Sequence, residues 1–457
     1  MKLKSIKFGG TSMGSANSII ECCDIIKNSS KKANIMVIVS AVAGITDALL
    51  ETIVLARKLK PRLVQSKFNF ILNTHKNILF KVVKDCELAQ KIWEEKFIPL
   101  LDKLQVICHG ICLVGDLTDK TVAKICSFGE KLSALLVVNS LDQLNVDNKM
   151  IESERVIRTD NSYLKAKVNI KTTNLAAKKI IRPLIKQGIT PVITGFIAKG
   201  THGDITLLGR GGSDYTAAIL ATALHANQIE IWTDVDGIMT ADPRIVKNAF
   251  SWHVVDMNII SEMAFCGARV IHPDTIVNAV ESNIPVFVFN TFNRKFKGSK
   301  VTKNAPFSKG LVTSPNNTLI TLENTRMIND IGFIKKISSI IASHNISIDV
   351  CATSEISFTF SIQSKDYSRK LAKSLEYFGN LKINHNIVKL SFIGDKVSDE
   401  TELIANIFYC LAKLEVKVHT VSIGAAGNNI TVLIDKNKAN QCLISLHDKL
   451  LDKKLYR

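Results

Sequence analysis

The chain has 457 residues, 46% hydrophobic and 22% charged, so its composition is that of a folded globular protein and excludes a disordered or fibrous chain. This length corresponds to about three domains. The net charge is +18, but the lysines are spread along the chain and aromatic residues make up only 6%. Nucleic-acid binding is therefore disfavoured, and the charge predicts a lysine-rich surface that attracts anionic ligands.

The sequence predicts no contact with a membrane. Its longest apolar run, around Ile35–Ile45, is broken by Ser40 and is shorter than the ~20 residues of a spanning helix. The N-terminus, MKLKSIKFGG, has no apolar core of a secretory signal. The ten cysteines show neither zinc-site spacing nor the density of a disulfide framework. We expect a cytoplasmic protein without a metal site of its own.

The first 300 residues or so alternate apolar strands with helices. Continuous apolar strands are predicted at Ile35–Ser40, Thr190–Gly195, Ile229–Asp234 and Ile284–Phe289, and helices at Leu132–Leu144 and Tyr215–Leu224. Strands that are apolar on both faces are typical of a parallel sheet covered by helices on both sides. The sequence therefore predicts an α/β fold with an open, mainly parallel sheet.

The composition of the sequence changes near residue 300. Residues 294–309 carry six lysines or arginines together with glycine and proline, which predicts a linker. Two units with one element order follow it. The first has a strand at Leu319–Leu322, a helix at 331–343 and strands at Ile346–Val350 and Ser357–Ile362; the second has a strand at Ile387–Ile393, a helix at Glu400–Leu414 and strands at Val416–Val421 and Ile430–Ile434. This internal repeat predicts tandem α+β modules, which indicate regulation more than chemistry.

Several common catalytic motifs are absent from the sequence. It contains no G-x-x-x-x-G-K-[ST], no G-x-S-x-G and no H-E-x-x-H, which excludes a P-loop enzyme and argues against a serine hydrolase and a zincin. Instead, Lys7-Phe8-Gly9-Gly10-Thr11-Ser12 follows the first predicted strand. A lysine and a glycine pair at a strand end provide a cation and accessible backbone N–H groups for phosphate, although a glycine turn beside a surface lysine would look the same.

Three further polar clusters follow predicted strands or begin predicted helices. In Leu208–Asp214, Arg210 lies between glycines and offers a fork for a carboxylate, whereas Ser213 or Asp214 could simply cap a helix. Phe128-Gly129-Glu130 places a carboxylate at a predicted helix start, where helix-dipole preference is the alternative. Thr233–Gly237 with Ala241–Arg244 could be ordinary turns. Polar strand ends in one open α/β sheet nevertheless predict a ligand crevice.

In order along the chain, these segments resemble the aspartokinases of the amino-acid kinase superfamily, specifically the monofunctional, lysine-sensitive type. The matching segments are KFGGTS (Lys7–Ser12), SAVAGITD (Ser40–Asp47), SFGEKLSALL (Ser127–Leu136), GFIAKG (Gly195–Gly200), LGRGGSDYTA (Leu208–Ala217), IWTDVDGIMTADPR (Ile231–Arg244), GARVIHP (Gly267–Pro273), HNISIDV (His344–Val350) and TSE (Thr353–Glu355). The resemblance covers essentially the whole chain. It implies the amino-acid kinase fold followed by two ACT domains.

The implied activity is ATP-dependent phosphorylation of the side-chain carboxylate of L-aspartate to 4-phospho-L-aspartate, the first step in the biosynthesis of lysine, diaminopimelate, threonine and methionine. ATP would act as its Mg²⁺ complex. Lys7 would neutralise charge on the transferred phosphoryl group, Arg210 would hold the α-carboxylate, and Glu130 and Asp214 would face the amino group. The implied catalytic residues are Lys7, Gly9, Gly10, Ser12 and Asp214; the aspartate site Thr46, Glu130, Phe196, Arg210 and Ser213; and the ATP site Thr233, Asp234, Met239, Asp242, Arg244 and Arg269.

Two positions depart from the family pattern. Most relatives have tyrosine at the position of Met239 and lysine at the position of Arg269. Arginine keeps the positive charge but not the point-like geometry of an ammonium group. We expect altered nucleotide affinity rather than loss of activity. A catalytically weakened ACT-domain amino-acid sensor is the main alternative, and another kinase of this fold acting on glutamate or a nucleotide is a third.

The resemblance also implies the domain organisation and the regulation. A catalytic domain would span residues 1–297 and a linker 298–310, followed by ACT domains at 311–385 and 386–457, with the strand near 317–322 shared with the second. The resemblance implies L-lysine as the effector, and anionic Asp349 and Glu355 would suit a cation, although both could be surface loop carboxylates. The chain differs from its relatives around Asn329-Asp330, which leaves the identity of the effector open. The residues that match the lysine site are Met327, Phe333, Ser347, Asp349, Thr353, Ser354 and Glu355. A homodimer or homotetramer through the ACT domains is expected.

Overall fold

The computed structural model describes residues 2–268, 271, 279, 282–303, 305, 308–324, 331–424 and 427–451. The chain divides into two compact units. The first comprises Met1–Ile238 and Ile271–Lys303, and the second comprises Met239–Val270 and Asn304–Arg457. Met327 and Arg269, which the sequence assigned to ligand sites, lie outside the described residues.

The described secondary structure follows in chain order. The strands are β1 (Leu3–Phe8), β2 (Asn34–Val39), β3 (Asn148–Ile151), β4 (Thr190–Thr194), β5 (Ile197–Lys199), β6 (Ile205–Leu207), β7 (Gln228–Thr233), β8 (Val254–Asp256), β9 (Val286–Asn290), β10 (Ser299–Thr302), β11 (Lys309–Glu323), β12 (Val350–Thr353), β13 (Ser357–Gln363), β14 (Asn380–Gly394), β15 (Val418–Ile423) and β16 (Asn429–Asp435). The helices are α1 (Ala16–Ser30), α2 (Ile45–Arg57), α3 (Pro61–Val82), α4 (Cys86–Ile92), α5 (Ile98–Val114), α6 (Asp119–Gln143), α7 (Ile170–Lys186), α8 (Gly212–Leu224), α9 (Met257–Cys266), α10 (Phe333–Ser343), α11 (Arg369–Glu376), α12 (Thr401–Lys413) and α13 (Ala439–Leu450).

The first unit is built on one twisted sheet in which β3, β4, β2, β1, β7, β9 and β10 are neighbours in that order. The pairs from β3 to β9 are parallel, and β10 is antiparallel to β9. Strand β1 is central: Lys7 pairs with Ile38 on one side and with Ile231 on the other. The chain moves to opposite sides of β1 to reach β2 and β7, so a ligand crevice is expected at their carboxyl ends.

The predicted fold class is confirmed, because the first unit is an α/β sheet and the second is α+β. The four strands predicted in the first unit occur as β2, β4, β7 and β9. Helix α6, however, begins at Asp119, so Glu130 lies in the middle of a buried helix and not at a helix start. The explanation of Glu130 by helix-terminal charge preference is therefore wrong.

The second unit contains a six-stranded sheet in the order β12-β13-β11-β14-β16-β15. Strands β11 and β14 are long and antiparallel, and they run through two modules. In β11, residues Lys309–Ser314 pair with the end of β14. Residues Asn317–Glu323 of the same strand pair with both β13 and β14. One apolar core contains Ile320, Phe333 and Phe360, and another contains Leu390 and Leu443. The repeat thus consists of two α+β modules on a shared sheet.

The two units are not divided where the sequence predicts a boundary. The segment 239–270 belongs to the second unit, where Ala241 and Val246 share an apolar core with Leu443 and Leu446 of α13. The predicted linker at 298–310 contains β10 and the start of β11. Apolar residues within 239–270 are therefore buried against the C-terminal module, although the sequence placed this segment in a continuous domain of residues 1–297.

One helical segment, Cys86–Val114, is long and apolar enough to cross a membrane by length and composition alone, with a mean hydropathy of 1.6 in its most apolar window. It consists of α4, a single π-helical turn (Trp93–Phe97) and α5. Phe97, Leu101 and Leu104 of this segment are buried in the core of the first unit. Of the most apolar window 28% is buried, and one such helix is weak evidence for a membrane span.

Candidate functional site

A cavity of about 540 Å³ opens at the carboxyl ends of β1, β2 and β4 in the first unit. Eight of the residues that the sequence assigned to catalysis or aspartate binding line it: Lys7, Gly10, Thr46, Glu130, Phe196, Arg210, Ser213 and Asp214. These residues come from five separate segments of the chain. The fold thus places the predicted catalytic lysine and the whole predicted aspartate site around one space.

Lys7 and Asp214 form an ion pair in this cavity. The Lys7 ammonium lies 2.5 Å from Asp214 Oδ1, and both residues are only 9% exposed. Lys7 is held by the parallel pairing of β1 with both of its neighbours, and Asp214 lies in the first turn of α8. A buried ammonium group is stabilised by such a partner, and the pair keeps Lys7 directed into the cavity.

Glu130 is a buried carboxylate with a free oxygen. It is 4% exposed, its Oε1 accepts a hydrogen bond from the Ala41 backbone N–H at 3.3 Å, and its Oε2 has no hydrogen-bond partner among the described residues. Burial raises the pKa of Glu130 to about 8, although hydrogen bonds from backbone N–H groups oppose this. An ammonium group in the cavity would satisfy Oε2 and restore the charged form.

The raised pKa of Glu130 predicts a pH dependence. If Glu130 binds the amino group of the substrate as a carboxylate, kcat/KM for that substrate should fall by about tenfold per pH unit below pH 8, because the free enzyme becomes protonated. Replacing Glu130 with Gln should flatten this pH profile at a low value. A profile that is the same in the wild type and in Glu130→Gln would show that another group controls binding.

The raised pKa of Glu130 also makes the stability of the folded chain depend on pH. The ordinary pKa of Glu130 is 4.5, so between pH 4.5 and about 8 the folded chain holds more protons at this residue than the unfolded chain. The contribution of Glu130 to stability is complete below pH 4.5 and is lost as the pH rises through about 8. Bound substrate removes this loss of stability, because the ammonium group of the substrate favours the charged form of Glu130.

Two helix N-termini meet the cavity without a side-chain cap. Helix α2 begins after Gly44 and carries Thr46 in its first turn, and α8 begins after Gly211; neither glycine provides a capping side chain. Gly211 has φ 70°, a left-handed conformation that favours glycine. Ser213 and Asp214 lie inside α8 and do not cap it. Uncapped N-terminal N–H groups attract anions, which suits a cavity for carboxylate or phosphate.

A strained aromatic residue and an arginine also line the cavity. Phe196 has φ 69°, which is unusual for a bulky residue, and its N–H donates to Thr216 Oγ1 at 3.0 Å. A Cβ at Gly195 would lie 2.5 Å from Ser213 Oγ, so only glycine permits this approach. Arg210 is exposed at the rim and lines the cavity. Its planar fork is suited to a carboxylate.

The predicted phosphate path is only partly at the cavity. Gly10 lines it, but the Gly9 N–H donates to the Trp232 carbonyl at 3.0 Å. Ser12 is fully buried and its hydroxyl lies 2.8 Å from Thr291 Oγ1. The structure therefore gives Gly9 and Ser12 a role in joining the β1 turn to the neighbouring segments.

The predicted ATP residues fall in both units. In the first unit, Thr233 ends β7 and donates from Oγ1 to Asp234 Oδ1 at 3.1 Å. In the second unit, Asp242 pairs with Arg244 through two contacts, Nε to Oδ1 at 2.9 Å and Nη2 to Oδ2 at 2.7 Å. Met239 Sδ accepts a hydrogen bond from Ser251 Oγ at 3.0 Å. Met239, Asp242 and Arg244 thus contact one another or near neighbours within a single segment.

The predicted effector residues surround β12 in the first module of the second unit. Phe333 is buried at the start of α10, and Ser347 precedes β12. Asp349 Oδ2 accepts a hydrogen bond from Gln363 Nε2 at 2.8 Å and lies 3.8 Å from the Lys389 ammonium. Thr353 ends β12, and Ser354 and exposed Glu355 form the turn to β13. Because Lys389 partly neutralises Asp349, Glu355 is the more available carboxylate for a cation.

Some lining residues were not selected from the sequence. Ser40, Ala41, Val42, Ala43, Gly44, Asp47, Leu164, Lys165, Gly209, Gly211 and Gly212 also line the cavity. Most belong to motifs that follow predicted strands, and this position at strand ends could have identified them as lining residues. Leu164 and Lys165 belong to no motif, because they come from a loop that reaches the cavity through tertiary packing.

Comparisons with known proteins identify the family of the chain. Residues 2–290 match the model of the amino acid kinase family. Over 461 residues the chain is 32% identical to lysine-sensitive aspartokinase 3 of Escherichia coli, with 98% of each chain covered. The chain belongs to the amino acid kinase family, as an aspartokinase. The resemblance inferred from the motifs is confirmed.

Solved structures of this family extend the likeness to the whole fold. The structure of E. coli aspartokinase III with aspartate and ADP, described as the R-state, has a TM-score of 0.85 and 29% identity, covering 99% of this chain and 100% of that one. The structure of the same protein with lysine and aspartate, described as the T-state, has a TM-score of 0.80 and 30% identity at the same coverage.

Proposed function

We propose that this aspartokinase transfers the γ-phosphoryl group of ATP to the side-chain carboxylate of L-aspartate. The observation that carries this proposal is the cavity in which Lys7, Glu130, Arg210 and Asp214 converge. Aspartate carries two carboxylates and one ammonium group. The cavity provides Arg210 for a carboxylate, unsatisfied Glu130 for the ammonium group, and a buried lysine next to the uncapped helix termini for phosphate.

The chemistry needs positioning and charge stabilisation but no general base, because the attacking carboxylate is already ionised at neutral pH. One oxygen of the side-chain carboxylate forms a bond to the γ-phosphorus, and the bond from that phosphorus to the bridging oxygen of ADP breaks. The Lys7 ammonium offsets the negative charge that spreads over the transferred group. Asp214 holds this ammonium in place before the substrates arrive.

Mg²⁺ would enter as the complex with ATP and would supply further charge neutralisation on the phosphates. Among the described residues no three His, Cys, Asp or Glu side chains converge on a metal site. Mg²⁺ is commonly held by substrate phosphates and one or two carboxylates. The exposed Asp234 at the end of β7 is a carboxylate available on the nucleotide side.

The proposal is tested by measuring acyl-phosphate formation from L-aspartate and MgATP, trapped as the hydroxamate, with L-glutamate and D-aspartate as control substrates. We expect turnover with L-aspartate only. Folded protein that binds L-aspartate without turnover would favour an amino-acid sensor, and turnover with glutamate would assign a different kinase.

We further propose that L-lysine inhibits this activity by binding to the first module of the second unit. The support is the likeness to a relative named as lysine-sensitive and the exposed Glu355 in the β12–β13 turn. Replacing Glu355 with Ala should raise the lysine concentration for half inhibition by about tenfold, because an ionic hydrogen bond to the effector is lost. The uninhibited rate should not change.

Glu415→Ala is the matched control for this prediction, because Glu415 is an exposed carboxylate in the other module of the same unit. Inhibition curves with lysine should be unchanged in this variant. If Glu355→Ala and Glu415→Ala are inhibited as strongly as the wild type, the effector binds elsewhere; threonine and methionine would then be tested as effectors.

A further inference from the structure

A second cavity in the first unit, of about 310 Å³, carries an excess of positive charge. It is lined by Glu154, Arg155, Arg158, Ile180, Lys199, Gly203 and Ile205, and we refer to it as the Arg158 cavity. It shares no lining residue with the aspartate-site cavity. Three of its seven lining residues are cations. No role in the phosphoryl transfer proposed above uses any of them.

The backbone holds two of these cations side by side. Arg158 and Lys199 form an isolated parallel bridge, in which the Lys199 N–H donates to the Ile157 carbonyl at 3.0 Å and the Thr159 N–H donates to the Lys199 carbonyl at 2.9 Å. The guanidinium group of Arg158 is itself fixed. Its Nη1 donates to the Glu154 carbonyl at 3.1 Å, and its Nη2 donates to the Arg155 carbonyl at 3.2 Å. The backbones of Arg158 and Lys199 are therefore adjacent, and the guanidinium group of Arg158 is held in place.

These cations are not neutralised by carboxylates. Within the part of the chain that the structure describes, no ion pair involves Arg155, Arg158 or Lys199. Glu154 Oε1 lies 3.0 Å from the Lys131 ammonium and Asp204 Oδ1 lies 2.8 Å from that of Lys120, whereas Glu154 Oε2 is buried without a hydrogen-bond partner among the described residues. Like charges held together in a partly enclosed space repel one another, and a bound anion removes this repulsion.

We propose that the Arg158 cavity binds a small ligand that carries a phosphate group. Guanidinium groups bind phosphate oxygens through paired hydrogen bonds, and a lysine adds a point charge. The volume of about 310 Å³ lies at the small end of ligand pockets, which fits a compact metabolite better than a whole nucleotide. Ile180 and Ile205 provide an apolar surface for the remainder of such a ligand.

The cavity is connected to the aspartate site through one side chain. Lys131 follows Glu130 in α6, and its ammonium contacts both Glu152 Oε2 at 3.3 Å and Glu154 Oε1 at 3.0 Å. Glu154 lines the Arg158 cavity, whereas Glu130 lines the aspartate-site cavity. The wall of the phosphate site is thus joined by an ion pair to the helix that carries a substrate-binding carboxylate.

The first test is protection of Lys199 from acetylation by an amine-reactive reagent, followed by mass spectrometry of the full chain. Inorganic phosphate is the probe, and a saturating non-hydrolysable ATP analogue together with L-aspartate keeps it out of the catalytic cavity. We expect phosphate to slow acetylation of Lys199 by about fivefold or more while exposed Lys178 of α7 reacts at an unchanged rate. Equal effects on both lysines, or the same protection by sodium chloride at equal ionic strength, would overturn the proposal.

The second test measures phosphate binding by calorimetry under the same conditions in Arg158→Gln, Arg155→Gln and the control Lys178→Gln. Each arginine variant should bind phosphate about tenfold more weakly, and the control should bind as the wild type does. Arg155 is exposed, so its replacement tests the site even if Arg158→Gln fails to fold. Unchanged affinity in Arg155→Gln together with unprotected Lys199 would show that phosphate binds elsewhere.

Discussion

Replacing Lys7 with Ala is expected to reduce kcat by about a hundredfold to a thousandfold, while the KM for aspartate changes by less than about threefold. Lys7 is 9% exposed, and its ammonium faces the cavity from the end of the central strand. It can therefore stabilise the charge on the transferred phosphoryl group in a site where water screens little. This stabilisation is greatest in the transition state, so its loss lowers kcat more than it weakens substrate binding.

Lys4 provides the matched control for this experiment. It lies on the same strand, and its ammonium pairs with Glu230 Oε1 at 2.8 Å, but it does not line the cavity. Lys4→Ala should retain the wild-type kcat. Steady-state hydroxamate assays on both variants, with thermal unfolding to verify the fold, make the comparison. A Lys7→Ala enzyme with normal kcat would remove Lys7 from the phosphoryl-transfer step.

Replacing Arg210 with Ala is expected to raise the KM for aspartate by about tenfold to a hundredfold and to leave the KM for ATP nearly unchanged. Arg210 lies between two glycines of left-handed conformation, Gly209 (φ 80°) and Gly211 (φ 70°), which place it at the rim of the cavity. Its side chain is exposed, so the guanidinium group is accessible to the α-carboxylate of an incoming substrate. Loss of the paired ionic hydrogen bond should therefore weaken the binding of aspartate and leave the binding of ATP unchanged.

Arg210→Lys distinguishes a forked contact from a simple charge effect. Lysine keeps the positive charge but cannot form the paired hydrogen bonds of a guanidinium group. An intermediate KM for aspartate is therefore expected. Initial rates measured over a matrix of aspartate and ATP concentrations test both variants. A defect confined to the ATP side in Arg210→Ala would contradict the assignment of Arg210 to aspartate.

The two departures from the family pattern, Met239 and Arg269, occupy positions that the sequence predicts to bind ATP. Met239 lies in the second unit, where Ser251 donates to its sulfur, and the same segment has its apolar residues buried with α13. Thr240 Oγ1 also lies 2.9 Å from Nε2 of His447. Met239, Asp242 and Arg244, which are predicted to bind ATP, thus lie in the unit that carries the predicted effector site. Arg269 lies outside the described residues.

The sequence determined much of the local structure and predicted eight of the residues that line the cavity. Strands such as β2 and β4 are uniformly apolar and buried, so their pattern predicts a parallel sheet covered on both faces. The glycine and lysine of KFGG and the arginine between glycines indicated anion binding, because few other residue types offer a backbone approach or a fork. The internal repeat was likewise visible from the spacing of its strands, although in the first repeat β12 begins at Val350, where the predicted strand ends.

Only the tertiary structure decided which distant groups meet. Lys7 and Asp214 are paired across more than 200 residues, and Leu164 and Lys165 reach the cavity from a loop without a motif. Glu130 gained its raised pKa because a long helix buries it, which a short motif cannot reveal. The segment 239–270 joined the second unit because its apolar residues pack there. Sequence patterns encode short-range preferences, whereas burial, ion pairing and unit boundaries depend on long-range packing that exists only in the folded chain.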